Sequence, residues 1–420
     1  MQIRLRSLAI IFLAYLGATF TYYSRYVQGD FAIYFAAGKR ISSDLVLYES
    51  QSNLYVYGPL LAHLLSGVAQ FNEIQVSQAW LLLSIVAINL SAFLICRIFV
   101  EHSHFEQYLI TMIILNIGFA ARNNLGNGNV MAFVLLAVVL SLYLILKKVG
   151  TLSSLLVAAL TLFVFEVKTY LALFIILYYV FLRSYKVLMY LLGLMCVLNL
   201  IYVSVSDTSY LYWIQSLINR SNGLERGSDQ ATFLFFLNSM TKETNVITWT
   251  LVMIVYLALL AFLFWTLLAK SHSKQEQGLI LIAAAPVITV FAHGQDFILS
   301  TLVLAVLALR YQAVKKTQNC SAIYFTIAMG LLINWTNEQV IPAIMIHLLL
   351  ATVLAVTGMD RRIAIPIVVL NAISTFALST FLNKPGDLQY LAYNFQALFF
   401  GVFTFLLVAR FRSNQVRLEG

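Results

Sequence analysis

Four side chains that could take part in group transfer stand in polar connectors between long apolar runs: Asp30, Arg122, Lys168 and His293. A carboxylate can take a proton from an attacking hydroxyl, and a cationic side chain can hold a phosphate as its charge grows on leaving. A neutral imidazole can orient either partner. This set suits the transfer of a group from an anionic lipid. Position alone also fits a plainer interpretation, in which Asp30 is a solvated acid just outside a membrane helix.

The sequence carries no other recognisable catalytic or metal-binding pattern. Ser-His-Asp spacing and HExxH are absent, and the three cysteines show no CxxC spacing. Asp30 and His293 together are too few ligands for a metal site, so neither a metal nor another cofactor is predicted. His63 and His347 lie on apolar faces and are interpreted as core residues.

The connector that spans residues 122–129 combines several asparagines with Gly126 and Gly128. Glycines let the backbone approach another group closely. The Gly-Asn-Gly run is not a dinucleotide-binding fingerprint, because no strand precedes it and a third glycine is missing. The prediction for these residues is a plain turn.

Composition places the chain in a membrane. Of its 420 residues, 61% are hydrophobic and 10% are charged, against about half and about a quarter in soluble domains. The net charge is +9, but the Lys and Arg side chains sit in short connectors rather than in a stripe. That pattern is typical of membrane topology and argues against a nucleic-acid partner.

Continuous apolar runs predict an all-α polytopic membrane protein with about 12–14 transmembrane helices. We interpret residues 1–420 as a single polytopic domain, in which 1–310 form the core and 311–420 add C-terminal helices. The core has two long outer loops, 24–74 and 205–244, and the first contains an amphipathic stretch over 30–43. The predicted segments are 7–23, 75–99, 107–121, 129–146, 151–165, 169–182, 187–204, 245–269, 278–292, 297–309, 318–334, 340–358, 363–382 and 388–408.

The positive charges predict the orientation of the chain. With the amino end inside, every inner connector carries Lys or Arg, and most of the 26 cationic residues lie on that side. Both termini are then cytoplasmic, and Asp30 is extracytoplasmic. We expect a multi-pass protein of the cell membrane.

Two predicted hairpins are short, one turning at residues 166–168 and the other at 293–296. At about 1.5 Å per residue their arms rise roughly 22 Å, against a hydrocarbon core of about 30 Å. Polar tips at that depth require water or a partner, which predicts an outward-facing cavity with Lys168 and His293 near its floor. Tilted helices with ordinary surface turns are the alternative.

Several short motifs follow one another over about residues 25–310. They are Asp30 with Tyr34 and Ala36-Ala37, Leu47-Tyr48, Tyr57 to Leu60, Asn124 to Asn129, Lys168, and Pro286 through His293 to Phe297. Together they resemble glycosyltransferase family 87, the polyprenol-phosphate-mannose-dependent mannosyltransferases of the GT-C fold. The family shows Tyr-Pro-Pro where this chain has Tyr57-Gly58-Pro59, and a Gly-Gln-x-Asn turn in which Asn127 takes the glutamine position.

This resemblance implies an inverting transfer of a hexose, most simply mannose, from a polyprenyl-phosphate sugar to a lipid-linked or glycan hydroxyl outside the membrane. It implies Asp30 as the general base, with His293 orienting donor or acceptor. Lys168 and Arg122 would hold the donor phosphate. The implied substrate-binding residues are Tyr34, Tyr57, Asn127, Asn129 and Gln295.

Two other functions stay open at the level of the sequence. A transporter or lipid flippase would use intramembrane polar residues, but it predicts pseudo-symmetric halves, and no convincing internal repeat is present. A glycan polymerase or ligase would depend on arginines in a large late loop, a part that Arg220 and Arg226 could play.

Overall fold

The computed structural model describes residues 2–48, 55–99, 105–146, 150–206, 208–221, 246–268, 273–288, 293–314, 400–402, 404–405 and 408. Within these ranges the chain is helical and contains no strand, which confirms the predicted all-α class. The predicted segments 318–334, 340–358 and 363–382, most of 388–408, and loop residues 222–244 lie outside the described residues.

The amino-terminal half folds as a series of helices, most of which follow the apolar runs, but the single segment predicted at 107–121 is divided at Gly118 into two helices. The helices are α1 (Gln2–Tyr23), α2 (Gly29–Ser42), α3 (Pro59–Ser66), α4 (Glu73–Phe99), α5 (Phe105–Ile117), α6 (Phe119–Asn127) and α7 (Met131–Leu146).

The helices continue through the short predicted hairpins. They are α8 (Thr151–Val167), α9 (Thr169–Phe181), α10 (Tyr185–Ser206), α11 (Tyr210–Ser221), α12 (Val246–Leu268), α13 (Lys274–Ile288), a 3-10 helix (Gly294–Phe297) and α14 (Ile298–Val314).

Helix lengths agree with a mixture of spanning and shorter segments. Among the described residues, three helical stretches are long and apolar enough to cross a bilayer, namely Leu5–Tyr23, Glu73–Phe99 and Tyr185–Ser206. The arms of the first predicted hairpin are shorter, with 17 residues in α8 and 13 in α9. Their junction falls at Lys168, as the sequence predicts.

The predicted plain turn at residues 122–129 is wrong for most of its length. Helix α6 runs through Asn127, and the chain turns only at Gly128. Ala120, Ala121 and Leu125 are good helix formers and are buried, so propensity and packing both outweigh the preference of the asparagines for turns.

Contacts divide the chain into two units, which are described separately. The first comprises Met1–Tyr22, Ala92–Asn123 and Ser228–Gly420, and the second comprises Tyr23–Ser91 and Asn124–Gly227. In the described part of the first unit, α14 packs against α5 and α13. In the second unit, α8 packs against α3, α7, α9 and α10, and α2 lies along α3.

Helix α2 is the predicted amphipathic stretch of the first outer region. Its buried side chains include Phe31, Tyr34 and Phe35, and the residues of its opposite face are half-buried or exposed. Asp30 lies in the first turn and Lys39 in the last, so both charges complement the helix dipole. The amphipathic pattern therefore packs α2 within the second unit, against α3, with Asp30 in its first turn.

Candidate active site

Asp30 is held by a residue that is distant in the sequence. The Nδ2 of Asn129 donates a hydrogen bond of 2.6 Å to Oδ2 of Asp30. The Oδ1 of Asn129 in turn accepts the backbone N–H of Met131 at 3.1 Å, which fixes the orientation of the amide. Asp30 is partly exposed, whereas Asn129 is buried. The carboxyl group is therefore positioned by a buried amide, in a residue that stays partly exposed.

Gly128 allows Asn129 to reach α2. Its φ of +67° lies in the left-handed region, which side-chain-bearing residues rarely adopt. A Cβ at this position would stand 2.7 Å from Cβ of Gln28 and 2.8 Å from Cβ of Phe31. The carbonyl of Gly128 also accepts the indole N–H of Trp80 at 2.9 Å. Backbone conformation and close approach thus both require glycine here.

The entry into α2 is fixed by the buried side chain of Gln28. Its Nε2 donates to the carbonyl of Tyr23 at 2.8 Å, and its Oε1 accepts the hydroxyl of Ser77. Gln28 is thus bonded on both sides, to the chain that precedes α2 and to α4. These bonds fix the position of the residue directly before α2, and so of the first turn that contains Asp30.

Two tyrosines meet next to this acid. The hydroxyl of Tyr34 donates to that of Tyr57 at 3.2 Å, and the rings stand edge to face with centroids 5.0 Å apart. Burial, and to a smaller extent the charges of Tyr57 and Asp30, raise the pKa of Tyr34 well above its usual value. Tyr34 therefore stays a neutral hydroxyl at physiological pH, and it can donate or accept a hydrogen bond.

Tyr57 belongs to residues 55–60, a short stretch that we call the bridging segment. The hydroxyl of Tyr48 donates to the carbonyl of Tyr57 at 2.7 Å, and that of Tyr55 donates to the carbonyl of Gly58 at 2.6 Å. The backbone N–H of Gly58 donates to the carbonyl of Glu166 at 2.6 Å. The segment thus links the Asp30 turn to the junction between α8 and α9.

Gly58 departs from the proline of the resembled family for a reason that the structure makes visible. A Cβ at position 58 would stand 2.7 Å from Cβ and Oε2 of Glu166. Proline would also remove the N–H that Gly58 donates to the carbonyl of Glu166. In this chain the position therefore requires a residue without a side chain and with an N–H.

Glu166 is a residue that the sequence analysis left without a role. It is fully buried at the end of α8 and accepts hydrogen bonds from three other elements. The signal in the sequence was an acid at the tip of an apolar hairpin, two residues before Lys168.

Lys168 closes α8 and opens α9. Its backbone N–H donates to the carbonyl of Val164 at 2.7 Å, and its carbonyl accepts the N–H of Leu171 at 2.9 Å. The side chain is buried, with Nζ 5.9 Å from the ring centroid of Tyr170. Lys168 is therefore a buried cation at the junction of the two helices.

In the first unit, the residue that follows Arg122 is hydrogen-bonded to Gln295. Arg122 is half-buried in α6. The next residue, Asn123, donates its amide N–H to Oε1 of Gln295 at 3.1 Å. Gln295 is itself buried in the 3-10 helix. The 122–123 pair and the turn that contains His293 are therefore joined by this bond.

His293 caps the 3-10 helix of the same unit. Its backbone N–H donates to Oδ2 of Asp296 at 2.9 Å, and the N–H of Asp296 donates back to the carbonyl of His293 at 3.0 Å. The ring of His293 also accepts from the backbone of Asp296, which completes a capping box. The imidazole is thus oriented by its own turn.

The predicted site residues fall into both units. Asp30 and Asn129 are brought into contact, as are Tyr34 and Tyr57, while Asn127 is exposed at the end of α6. The second unit holds Asp30, Tyr34, Tyr57, Asn127, Asn129 and Lys168, and the first holds Arg122, His293 and Gln295.

Long apolar helices together with an anchored, partly exposed acid indicate that the chain is a multi-pass membrane protein with a polar site. The sequence model of glycosyltransferase family 87 matches residues 55–285, which is more than half of the chain. The chain belongs to glycosyltransferase family 87 and is a membrane glycosyltransferase. Searches of curated proteins and of solved structures found no match.

Family membership confirms the resemblance seen in the sequence. It favours a glycosyltransferase over the transporter that the sequence left open. The matched range includes Tyr57, Arg122, Asn129, Glu166 and Lys168. Asp30 precedes it and His293 follows it. A sugar donor, an acceptor and the lipid bilayer are the partners that the family implies.

Proposed function

We propose that this enzyme transfers a hexose, with mannose as the first candidate, from a polyprenyl-phosphate sugar to a hydroxyl of a lipid-linked or glycan acceptor. The reaction takes place on the extracytoplasmic side of the cell membrane, with both termini of the chain in the cytoplasm. The observation that carries the proposal is Asp30, a partly exposed acid held by the buried amide of Asn129.

Asp30 acts as the general base in this reaction. The acceptor hydroxyl gives its proton to the carboxylate while its oxygen attacks the anomeric carbon. The bond from that carbon to the phosphate oxygen breaks, and polyprenyl phosphate leaves with the electron pair, so the configuration inverts. The bond from Asn129 holds the carboxylate in one orientation, and such positioning of a reacting group is a large part of catalysis.

The cations serve the leaving group. Lys168 offsets the charge that develops on the departing phosphate, which is worth most in a site shielded from water. Arg122 adds a planar guanidinium suited to phosphate. In the same proposal His293 and Gln295 orient the donor or acceptor, and Tyr34, Tyr57, Asn127 and Asn129 line the substrate-binding site.

The donor is identified by incubating purified protein in lipid with radiolabelled polyprenyl-phosphate mannose and following release or transfer of the sugar. Matched polyprenyl-phosphate glucose and pentose donors are run alongside. Turnover of one of them establishes dependence on a lipid phosphate and names the sugar. If none of the donors turns over although the lipids bind, the proposed donor class is wrong.

The role of Lys168 is tested with Lys168→Ala. We expect the apparent KM for the donor to rise about tenfold, because a charge-assisted bond to phosphate is lost. The matched control is Lys186→Ala, which removes an exposed lysine at the start of α10 that bonds Thr151. Loss of the charge that stabilises the departing phosphate should also lower kcat, so a donor KM and a kcat that are both unchanged in Lys168→Ala would remove the phosphate role.

A further inference from the structure

The carboxyl group of Glu166 joins three helices. Its Oε2 accepts the backbone N–H of Leu60 at 2.7 Å. Its Oε1 accepts the hydroxyl of Tyr202 at 2.9 Å and that of Tyr210 at 2.5 Å. These donors belong to α3, α10 and α11, and the glutamate itself is fully buried in α8. One side chain therefore satisfies donors from three elements that are far apart in sequence.

The same residue holds the bridging segment on both sides of Pro59. The backbone carbonyl of Glu166 accepts the N–H of Gly58, and its side chain accepts that of Leu60. Pro59 has no N–H of its own, so both N–H groups that flank it end on Glu166. We call the two bonds from Gly58 and Leu60 to Glu166 the clamp. Tyr57 directly precedes it, and the hydroxyl of Tyr57 accepts that of Tyr34 in α2, whose first turn contains Asp30.

Helix α11 docks on the same segment. Besides the bond from Tyr210 to Glu166, the indole N–H of Trp213 donates to the carbonyl of Val56 at 3.1 Å. The ring of Tyr212 contacts that of Tyr48, with centroids 6.0 Å apart. Helix α11 opens the second long outer region, so its docking links that region to the Asp30 turn.

We propose that Glu166 is a positioning residue for the transfer reaction, and that it sets Tyr57 against Tyr34 beside Asp30 when α11 is docked. This inference rests on the proposed function, in which Asp30 is the base. Glu166 is buried behind the bridging segment and acts through it rather than on the substrate. The bond from Tyr210 is the link that makes the arrangement depend on α11.

The first test removes a single hydroxyl with Tyr210→Phe. The ring contacts with Phe165, Tyr202 and Trp213 are kept, while the bond to Glu166 is lost. We expect kcat to fall about tenfold with the donor KM within about twofold of wild type, because positioning beside Asp30 is lost while Lys168 and Arg122, which are proposed to hold the donor phosphate, are unchanged. The matched control is Tyr212→Phe on the same helix, for which both constants should stay within about twofold.

Backbone hydrogen exchange in the full-length protein gives a second readout that does not need turnover. The amides of Gly58 and Leu60 should exchange faster in Tyr210→Phe than in wild type, and should be unchanged in Tyr212→Phe. Faster exchange here reports a looser clamp directly, since both amides donate to Glu166. Unchanged exchange in Tyr210→Phe would overturn the inference.

Conservative rescue separates positioning from simple burial of charge. In Glu166→Gln, the carbonyl oxygen can accept from Leu60 while the amide N–H donates to the tyrosine hydroxyls, which are able to accept. We therefore expect Glu166→Gln to retain more transfer than Glu166→Leu, which satisfies none of the three donors. If Glu166→Leu does not fold, the glutamine and Tyr210→Phe variants still decide. Equal loss in the glutamine and leucine variants would contradict the clamp.

The outcomes keep this inference apart from the proposed function. Faster exchange without any change in kcat overturns the link between Glu166 and catalysis, whatever Asp30 does. Retained transfer in Asp30→Asn overturns the base assignment, and the exchange data then still show whether Glu166 holds the bridging segment. If wild-type protein turns over no lipid-phosphate donor, the proposed donor class is wrong. Backbone exchange still tests the clamp in that case, because unchanged exchange in Tyr210→Phe counts against it.

Discussion

Asp30 and His293 both stand where a short helix begins, yet they are held in opposite ways. The partner of Asp30 is Asn129, which lies 99 residues further along the chain. The partner of His293 is Asp296, which lies 3 residues away within the same turn. The first group is placed by the packing of several helices, and the second is placed by its own local sequence.

This difference bears on how each group would work. A base that must meet an acceptor hydroxyl within hydrogen-bond reach benefits from a rigid support built by distant elements. A group that orients a substrate can rely on a local cap. Changes in the loops that support Asp30 should therefore affect transfer strongly, whereas changes in the 3-10 turn should affect it weakly.

The largest effect short of removing the base is expected from Gly128→Ala. The new Cβ would lie within 2.8 Å of both Gln28 and Phe31, at a φ of +67° that disfavours alanine. The loop must then retreat from α2 and take Asn129 with it, and we expect transfer to fall about 100-fold. Transfer by purified, folded protein in lipid measures this.

Gly29→Ala is the control for that change. Position 29 begins α2 next to Asp30, and a Cβ there meets nothing within 4 Å. Transfer near wild type in Gly29→Ala, together with the loss in Gly128→Ala, would tie the effect to the close approach of Gly128. Equal activity in the two variants would show that the long-range support of Asp30 is unimportant.

Asn129→Asp should have the next largest effect. It removes the donated hydrogen bond of 2.6 Å and puts a second carboxyl group against Asp30. A neighbouring negative charge raises the pKa of a carboxyl group, so Asp30 stays protonated to higher pH. We expect about tenfold slower transfer at neutral pH and an acid limb of the pH–rate profile that moves to higher pH.

Asn129→Ala separates these two contributions, because it removes the donor without adding charge. Its kcat should fall, but its acid limb should move less than that of Asn129→Asp. An acid limb that stays in the same place in both variants would mean that Asp30 is not the group whose ionisation controls the rate.

Asp296→Ala is expected to have the smallest effect. It removes the side chain that accepts the N–H of His293, and a lost helix cap costs about 1 kcal/mol of stability. We expect a lower melting temperature and transfer within about threefold of wild type. Ser273→Ala is the matched control, since Ser273 and Glu276 form the same kind of box at α13. A loss as large as that of Gly128→Ala would erase the difference between the two turns.

Hydropathy and charge predict the helices well because bilayer thickness constrains their length and composition. The bounds of α4, α8, α9, α10 and α12 follow the predicted apolar runs closely, and the amphipathic stretch at 30–43 is helix α2. The turn predicted at 122–129 failed because buried alanines and Leu125 extend α6 to Asn127.

Pairings between distant residues could not be derived from the chain. The resemblance named Asp30 and Asn129 separately, but no local pattern shows that one donates to the other. Glu166 is the clearest case, since its donors come from α3, α10 and α11 and have no common spacing. Gly58 looked like a departure from a family motif, and only the position of Glu166 explains why glycine stands there.

The most direct test of Asp30 as the base is single-turnover transfer by Asp30→Asn beside Asp44→Asn. The asparagine oxygen at position 30 can still accept from Asn129, so the turn should keep its structure while basicity is lost. Asp44 is an exposed acid just beyond the other end of α2, at a φ of 54° that asparagine tolerates. We predict that Asp30→Asn folds and binds the donor but slows transfer at least about 1000-fold, a large loss for general base catalysis, while Asp44→Asn matches wild type. Transfer at a wild-type rate by folded Asp30→Asn would contradict the assignment of Asp30 as the base.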